Sequence, residues 1–177
     1  AVPSVLSDYG FMGQDDGKCL PILIIKDKRS KRLAATFVER KGVNPYSTKF
    51  FGGFIESTGY KRIMNKSDGE PAIVASKKAA ALSAGAQTLE EGPGAMPQEI
   101  PVDDHQANGE VEAAVRDIKR QVRVMKIALE SRLKIQLQDS DPVLAWIPRA
   151  AGELISRYRR GEDGKTPEQR RTGKQWR

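Results

Sequence analysis

The sequence contains very little cysteine and histidine, and these shortages exclude several kinds of site. Its 177 residues include one cysteine, Cys19, and one histidine, His105. A disulfide framework needs pairs of cysteines, and a structural zinc site needs about four cysteine or histidine ligands. Neither can be built within this chain. We therefore expect Cys19 to be a small buried hydrophobic residue in a reducing environment.

The sequence also lacks a long apolar run. The longest, from Leu20 to Ile25, contains a proline and is far shorter than the roughly 20 apolar residues that a membrane helix needs. The N-terminal stretch AVPSVLSDYG has no initiator methionine and no basic or long apolar region of the kind found in signal peptides. We therefore expect no membrane span and no secretion, and we interpret the N-terminus as the cut edge of a longer polyprotein.

Positive charge is in excess, and most of it lies near the C-terminus. The formal net charge is +7, and residues 157–177, with eight Lys or Arg against three acids, carry +5 of it. Such an excess favours a polyanionic partner, although a solvated chain end is an open alternative for the tail. We divide the chain into a core, residues 1–160, and a basic C-terminal tail, residues 161–177.

The order of apolar runs and turn signals predicts an α/β fold. Three antiparallel strands are predicted first, and the Asp-Gly pair in GQDDGK between the first two is a strong hairpin signal. Alternating helices and strands follow, so we expect a mixed sheet, with antiparallel and then parallel strands, flanked by helices. The predicted strands cover 4–12, 19–26, 33–39, 60–68 and 87–90, and the predicted helices 45–59 and 71–84, a long one after residue 108, and one from 142. We expect the Gly- and Pro-rich segment 85–107 to be mostly loop, with His105 in it.

The long helix carries two glutamates, Glu110 and Glu112, in its predicted first turn. On a helical wheel Glu112 lies at the edge of the apolar stripe, whereas Glu110 points about 160° away, where it would complement the helix dipole. A helix-dipole role with an ion pair to Arg116 is the alternative for Glu112. The apolar stripe comprises Val111, Val115, Ile118, Val122, Met125, Leu129 and Leu133, and a second row comprises Glu112, Arg116, Lys119 and Arg123.

Two further acids, Asp8 and Asp68, lie in or beside predicted strands. Asp8 stands among apolar residues of the first strand, where an acid is costly unless it is paired, hydrogen-bonded or bound to metal. Asp68 follows the fourth strand, but it is equally suited to a turn or a helix N-cap. Together with Glu112, these carboxylates could hold two Mg²⁺ ions for an in-line displacement at a phosphodiester, a reaction that needs no histidine base.

Three short stretches carry a resemblance to a known family. SDYGFMG, NKSDGEP and HQANGEVEAAV resemble the acidic motifs of the integrase catalytic core of retroviruses and retrotransposons, a D,D,E family with a ribonuclease-H-like fold. The resemblance runs from about residue 4 to 177 and implies that Asp8, Asp68 and Glu112 are the catalytic, metal-binding acids, with two Mg²⁺ or Mn²⁺ ions as cofactors. Gly109 and Glu112 match the family's Gly-x-x-Glu, which favours Glu112 over Glu110. One departure is visible, because the 43 residues between Asp68 and Glu112 exceed the usual spacing.

The same resemblance implies contacts with DNA. Asn108 lies in HQANG, which matches a polar loop that helps to position DNA, and Arg116 and Lys119 match basic positions that contact the element's DNA end. Arg123 continues that row. The implied partners are element ends, target DNA and further copies of the chain, and the implied location is the nucleus or a cytoplasmic nucleoprotein particle.

The function implied is that of a retrotransposon-type integrase core, a Mg²⁺-dependent polynucleotidyl transferase for DNA 3′-end processing and strand transfer. The alternative is a decayed or repurposed module that binds nucleic acid without catalysis, and metal-dependent cleavage would separate the two. A ribonuclease H is less well supported, because the glycine-led third acid and the long basic helix are typical of integrases.

Overall fold

A computed structural model describes residues 2–12, 20–67, 70–89, 104–138 and 141–174. Five strands form one sheet in the order β3-β2-β1-β4-β5. Strand β1 pairs antiparallel with β2 and parallel with β4, while β2–β3 is antiparallel and β4–β5 parallel. The predicted mixed sheet is thereby confirmed. The strands are β1 Ser4–Gly10, β2 Ile22–Asp27, β3 Leu33–Phe37, β4 Arg62–Lys66 and β5 Gln87–Leu89.

Four of the five described helices begin where the sequence places start signals. Asn44 caps the first helix in a capping box with Ser47, and Gly59 ends it with a left-handed backbone (φ 72°). Prolines occupy the first turns of the second, fourth and fifth helices, where their missing N–H costs nothing. The helices are α1 Pro45–Thr58, α2 Pro71–Ser83, α3 Asp104–Leu133, α4 Pro142–Tyr158 and α5 Pro167–Thr172. No helix among the described residues is long and apolar enough to cross a membrane.

The sheet has two covered faces, and β1 contributes to both. Val5 and Tyr9 pack into a core shared with α1 and α2, which we call the α1 face. Leu6 packs instead against Val111 of α3, on what we call the α3 face. Because successive strand residues point to opposite faces, Asp8 belongs with Leu6 to the α3 face. Helix α4 covers the same face toward the edge strand β3.

Helix α4 lies very close to β3, and two small residues allow it. A Cβ on Gly152 would lie 3.2 Å from Ala34 Cα and from Ala35 N, so only glycine fits without a shift. One turn later, Ser156 Oγ accepts a hydrogen bond from Leu33 N and donates one to Leu33 O, both at 2.9 Å. The helix therefore covers the edge strand and satisfies the backbone N–H and carbonyl of Leu33. This protects the edge from pairing with another strand.

Three local predictions need correction. Helix α3 begins at Asp104, so residues 104–107 are helical and not loop, and Glu110 lies in the second turn. Adding residues to an existing helix costs far less than nucleating one, which explains the extension through Asn108 and Gly109. The apolar stripe is buried at Val111, Ile118 and Val122, whereas Leu133 is 51% exposed, because this 30-residue helix is longer than the sheet it covers.

Helix α5 was not predicted, although its signals stand in the basic tail. Thr166 caps it by accepting a hydrogen bond from Gln169 N, and Gly173 ends it. Its arginines turn back onto the protein. Arg170 pairs with Asp163 and donates to Ser30 O, and Arg171 pairs with Glu168. Part of the tail's charge is thus neutralised by its own acids.

Candidate active site

Strand β1 presents Asp8 toward α3. On either side of Asp8 along the strand, Leu6 contacts Val111, and a Cβ on Gly10 would lie 3.1 Å from Val115 Cγ1. Asp8 is half-buried between these contacts, and its Oδ1 accepts a hydrogen bond of 2.7 Å from the backbone N–H of Tyr9. The missing side chain of Gly10 lets the helix approach the strand at this point. Asp8 therefore lies in the seam between β1 and α3.

Glu112 follows the residue that anchors α3 to β1. Val111 is buried against Leu6, and Glu112 is exposed at the edge of that contact. Asp8 and Glu112 are thus carried on the same face by two elements packed directly on each other. Two of the three acids named in the sequence analysis are brought to one side of the sheet, as a shared site requires.

The third acid, Asp68, lies outside the described residues. Strand β4, which precedes it in the sequence, runs parallel to β1 with Lys66 opposite Leu6, and Ser67 is the last described residue before it. Among the described residues, no three Asp, Glu, His or Cys side chains form a group that could hold a metal. The role of Asp68 stays a prediction. Asp8 and Glu112 offer the hard carboxylate oxygens that Mg²⁺ prefers.

The basic row of α3 lies beside Glu112. Arg116 and Arg123 are exposed and Lys119 is half-buried, one to three turns along the helix. Cations on one rigid helix next to two carboxylates can bind a phosphate backbone that crosses the site. Asn108 is helical, but its side chain lies outside the described part of the chain. The DNA-binding role of these four residues stays a prediction.

Comparison with known proteins shows which fold this is. No protein-family model and no curated protein matches the sequence. The structure is similar to the magnesium-bound catalytic core domain of HTLV-2 integrase, with a TM-score of 0.60, 13% identity, and coverage of 96% of this chain and 97% of that one. It is also similar to the catalytic core domain of BIV integrase, with a TM-score of 0.56, 16% identity, and coverage of 96% and 93%.

A third similar structure is a chain of a simian T-cell lymphotropic virus intasome, with a TM-score of 0.59 and 15% identity. It matches 99% of this chain but only 57% of its own length. The fold is that of a retroviral integrase catalytic core. This confirms the ribonuclease-H-like fold implied by the three motifs. At such low identity the likeness concerns the fold, so the roles of side chains must be argued from this chain's own residues.

Within this integrase-core fold, Glu110 does not have the role expected for it. It was predicted to complement the helix dipole in the first turn, but its carboxylate instead meets three lysines of β2 and the β2–β3 turn, at 3.4 Å (Lys26), 3.9 Å (Lys28) and 3.2 Å (Lys31). Burial alone would raise the pKa of Glu110, but the Lys31 hydrogen bond and the lysine charges outweigh it and lower that pKa. Glu110 is therefore an ionised, tethered side chain.

The contact with Glu110 also affects the pKa of Lys26. Burial lowers the pKa of Lys26, and the neighbouring Glu110 charge acts against that shift. The lysine also donates to the backbone carbonyl of Glu110 at 3.4 Å. This lysine cluster (Lys26, Lys28 and Lys31) was not predicted, because the charged run at residues 27–31 indicates a turn but does not indicate which side chains its lysines meet. The close approach at Gly10 was not predicted either, although that glycine stands within the first motif of the integrase-core resemblance.

Proposed function

We propose that this chain is a retrotransposon-type integrase core that carries out metal-dependent DNA 3′-end processing and strand transfer. The observation that supports this most is the placement of Asp8 in β1 and Glu112 in α3 on one face of an integrase-core fold. The motif order and the basic row beside Glu112 point the same way. The proposed reactions are hydrolysis of a phosphodiester near the element's 3′ end and then attack of the freed 3′-hydroxyl on a target phosphodiester. In the second step the new P–O bond replaces the one to the target strand's 3′-oxygen, which leaves as a 3′-hydroxyl.

The acids would hold the metal ions. Asp8, Asp68 and Glu112 supply carboxylate oxygens, which suit Mg²⁺ or Mn²⁺, and the similar HTLV-2 core is a magnesium complex. Two such ions would activate the attacking hydroxyl and stabilise the leaving oxygen. Gly10 allows α3 to lie close to β1, so Asp8 and Glu112 are held by rigid elements and not by loops.

The basic row would position the DNA. Arg116, Lys119 and Arg123 would contact phosphates, and Asn108 would lie where α3 begins to meet the DNA end. The partners proposed are element ends, target DNA and further copies of the chain, in line with the dimeric and trimeric HTLV-2 cores and the intasome among the similar structures. The location proposed is the nucleus or a cytoplasmic nucleoprotein particle.

A disintegration assay tests the proposal. The parent chain and the variants Asp8→Asn, Asp68→Asn and Glu112→Gln would be assayed on branched DNA with Mg²⁺ or Mn²⁺. Each variant should lose about 100-fold or more in rate, the scale expected when a group that stabilises transition-state charge is removed. Glu56→Gln is the matched control, because Glu56 is an exposed glutamate on α1, on the other side of the sheet.

The contrary outcome is equally specific. Salt-sensitive DNA binding by a folded parent, without metal-dependent cleavage, would support the non-catalytic nucleic-acid-binding module instead. An unchanged rate in Asp68→Asn would contradict the three-acid mechanism even if the other variants were inactive. Circular dichroism on each variant would show whether a lost rate reflects lost structure.

A further inference from the structure

The lysine cluster forms ion pairs with Glu110, at the position where α3 begins to pack on the sheet. The Glu110 carboxylate lies within 4 Å of Lys26, Lys28 and Lys31, and Lys26 reaches the Glu110 carbonyl as well. One residue earlier, Gly109 is exposed, and a Cβ there would meet nothing within 4 Å. Among the residues whose side chains are described, Glu110 is therefore the first of α3 that is tied to the sheet.

The turn that carries the cluster is itself rigid. Asp27, only 1% exposed, accepts hydrogen bonds from Arg29 N at 3.2 Å and Ser30 N at 3.1 Å, and from the Ser30 and Tyr60 hydroxyls. Lys31, in the left-handed region with φ 65°, donates its N–H to Asp27 O at 2.8 Å. The lysines are thus presented by an internally bonded turn at the end of two sheet strands, and not by a free loop.

The direction of Glu112 depends on how α3 is rotated about its axis. Glu110 and Glu112 are two residues apart, so they project about 160° from each other, and fixing one fixes the other. Val111 against Leu6 and Val115 against Gly10 set how closely the helix approaches, but apolar contacts tolerate small rotations. An ion-pair cluster on one side of the helix resists such rotation, because it would change the ion-pair distances and the Lys31 hydrogen bond together.

We propose that Glu110 is a positioning residue, which clamps α3 to the lysine cluster so that Glu112 is held beside Asp8 for metal binding. This rests on the proposed function, since it gives Glu112 a metal to hold. Glu110 touches neither metal nor DNA in this proposal. Its effect passes through the orientation of the helix, as supporting groups outside a metal's ligands commonly act.

The test compares Glu110→Gln, which keeps the shape and removes the charge, with Glu110→Asp, which keeps the charge, and with the control Glu56→Gln. Hydrogen–deuterium exchange of the metal-free protein should be about tenfold faster in residues 109–116 of Glu110→Gln and unchanged in α1 and β1. Calorimetric titration with Mg²⁺ should show about 10- to 100-fold weaker binding. Glu110→Asp should restore part of both, and saturating Mg²⁺ should recover most of the disintegration rate.

A double-mutant cycle sharpens the assignment. Lys31→Gln alone should produce a smaller change of the same sign, and adding it to Glu110→Gln should cause little further loss, because both changes break one contact. Unchanged exchange in 109–116, or exchange that rises equally throughout the chain, would overturn the clamp. Normal Mg²⁺ binding and activity in Glu110→Gln would also overturn it while leaving the proposed function standing. A parent that neither binds Mg²⁺ nor cleaves DNA would overturn the proposed function, whereas local exchange would still decide whether the clamp exists.

Discussion

The two faces of β1 differ in the burial and hydrogen bonding of their polar side chains. On the α1 face, the Tyr9 hydroxyl lies 3.1 Å from Ser76 Oγ and accepts a hydrogen bond of 3.0 Å from Gly42 N, so its polarity is satisfied inside the core. On the α3 face, Asp8 is half-buried beside α3, and Glu112 of that helix is exposed. Tyr9 is thus satisfied inside the core, although the Ser7 hydroxyl on the same face is buried with no hydrogen-bond partner among the described residues. The other face brings carboxylates to the surface.

Residues of the same strand therefore contribute to stability on the α1 face and to the candidate site on the α3 face. The α1 face consists mainly of fully buried apolar residues such as Ile55, Phe51 and Ile63, and its removal from water stabilises the fold. The α3 face has an apolar cluster under α4, but near Asp8 it contains the small Gly10 and a charged helix row. Substitutions on the first face should cost folding free energy, and substitutions near Asp8 should cost function.

The largest effect is expected on the α1 face. Phe51→Ala removes a fully buried ring and should lower the free energy of unfolding by about 3–5 kcal/mol, measured by urea denaturation. Asp8→Asn, on the other face of the sheet, should change that free energy by less than about 1 kcal/mol. A loss in Asp8→Asn as large as that in Phe51→Ala would break the comparison, because Asp8 would then be a structural residue.

A smaller effect is expected for DNA binding by the α3 row. Arg116→Ala should weaken binding about equally for all sequences and reduce the slope of log affinity against log salt by about 1, the change expected for one lost phosphate contact. Lys49→Ala removes an exposed cation from α1, on the other face, and should leave the slope unchanged. Equal slopes for Arg116→Ala and the parent would mean that DNA does not cross this row.

The smallest effect concerns Tyr60, whose hydroxyl donates a hydrogen bond to the buried Asp27 at the end of β2. Burial, together with the Asp27 charge and hydrogen bond, raises the pKa of Tyr60 to about 12 from an ordinary value of 10.0. A folded state that holds the phenol proton more tightly is stabilised below pH 10, and this contribution is lost as the pH rises toward 12.

Urea denaturation between pH 9 and pH 12 would measure this contribution, because that range begins about one unit below the ordinary pKa of 10.0 and ends near the raised value of about 12. The parent should lose more stability across the range than Tyr60→Phe, which has no phenol to ionise. Lysines titrate in both proteins, so the difference between them isolates Tyr60. Parallel curves would show that the hydroxyl of Tyr60 is not held by Asp27 in solution.

Much of the fold could be predicted because its signals are local. Asn44, Pro45 and Gly59 set both ends of α1 through a cap, a fixed φ and a left-handed stop, and these act within a few residues. The alternation in β1 assigns Asp8 to a face without reference to any other element. The start of α3 was missed because helix extension depends on the packing of later turns, which no local signal records.

The site divides in the same way. The candidate acids Asp8 and Glu112 could be named from the amino-acid sequence, because motif order and helical periodicity are properties of the chain. Tertiary packing places Val111 against Leu6 and Val115 beside Gly10, so the strand and the helix that carry these acids adjoin on one face of the sheet. It also brings Glu110 to Lys26 and Lys31. Residues about 80 positions apart meet through sheet register and helix rotation, which follow from packing the whole core and not from any single stretch.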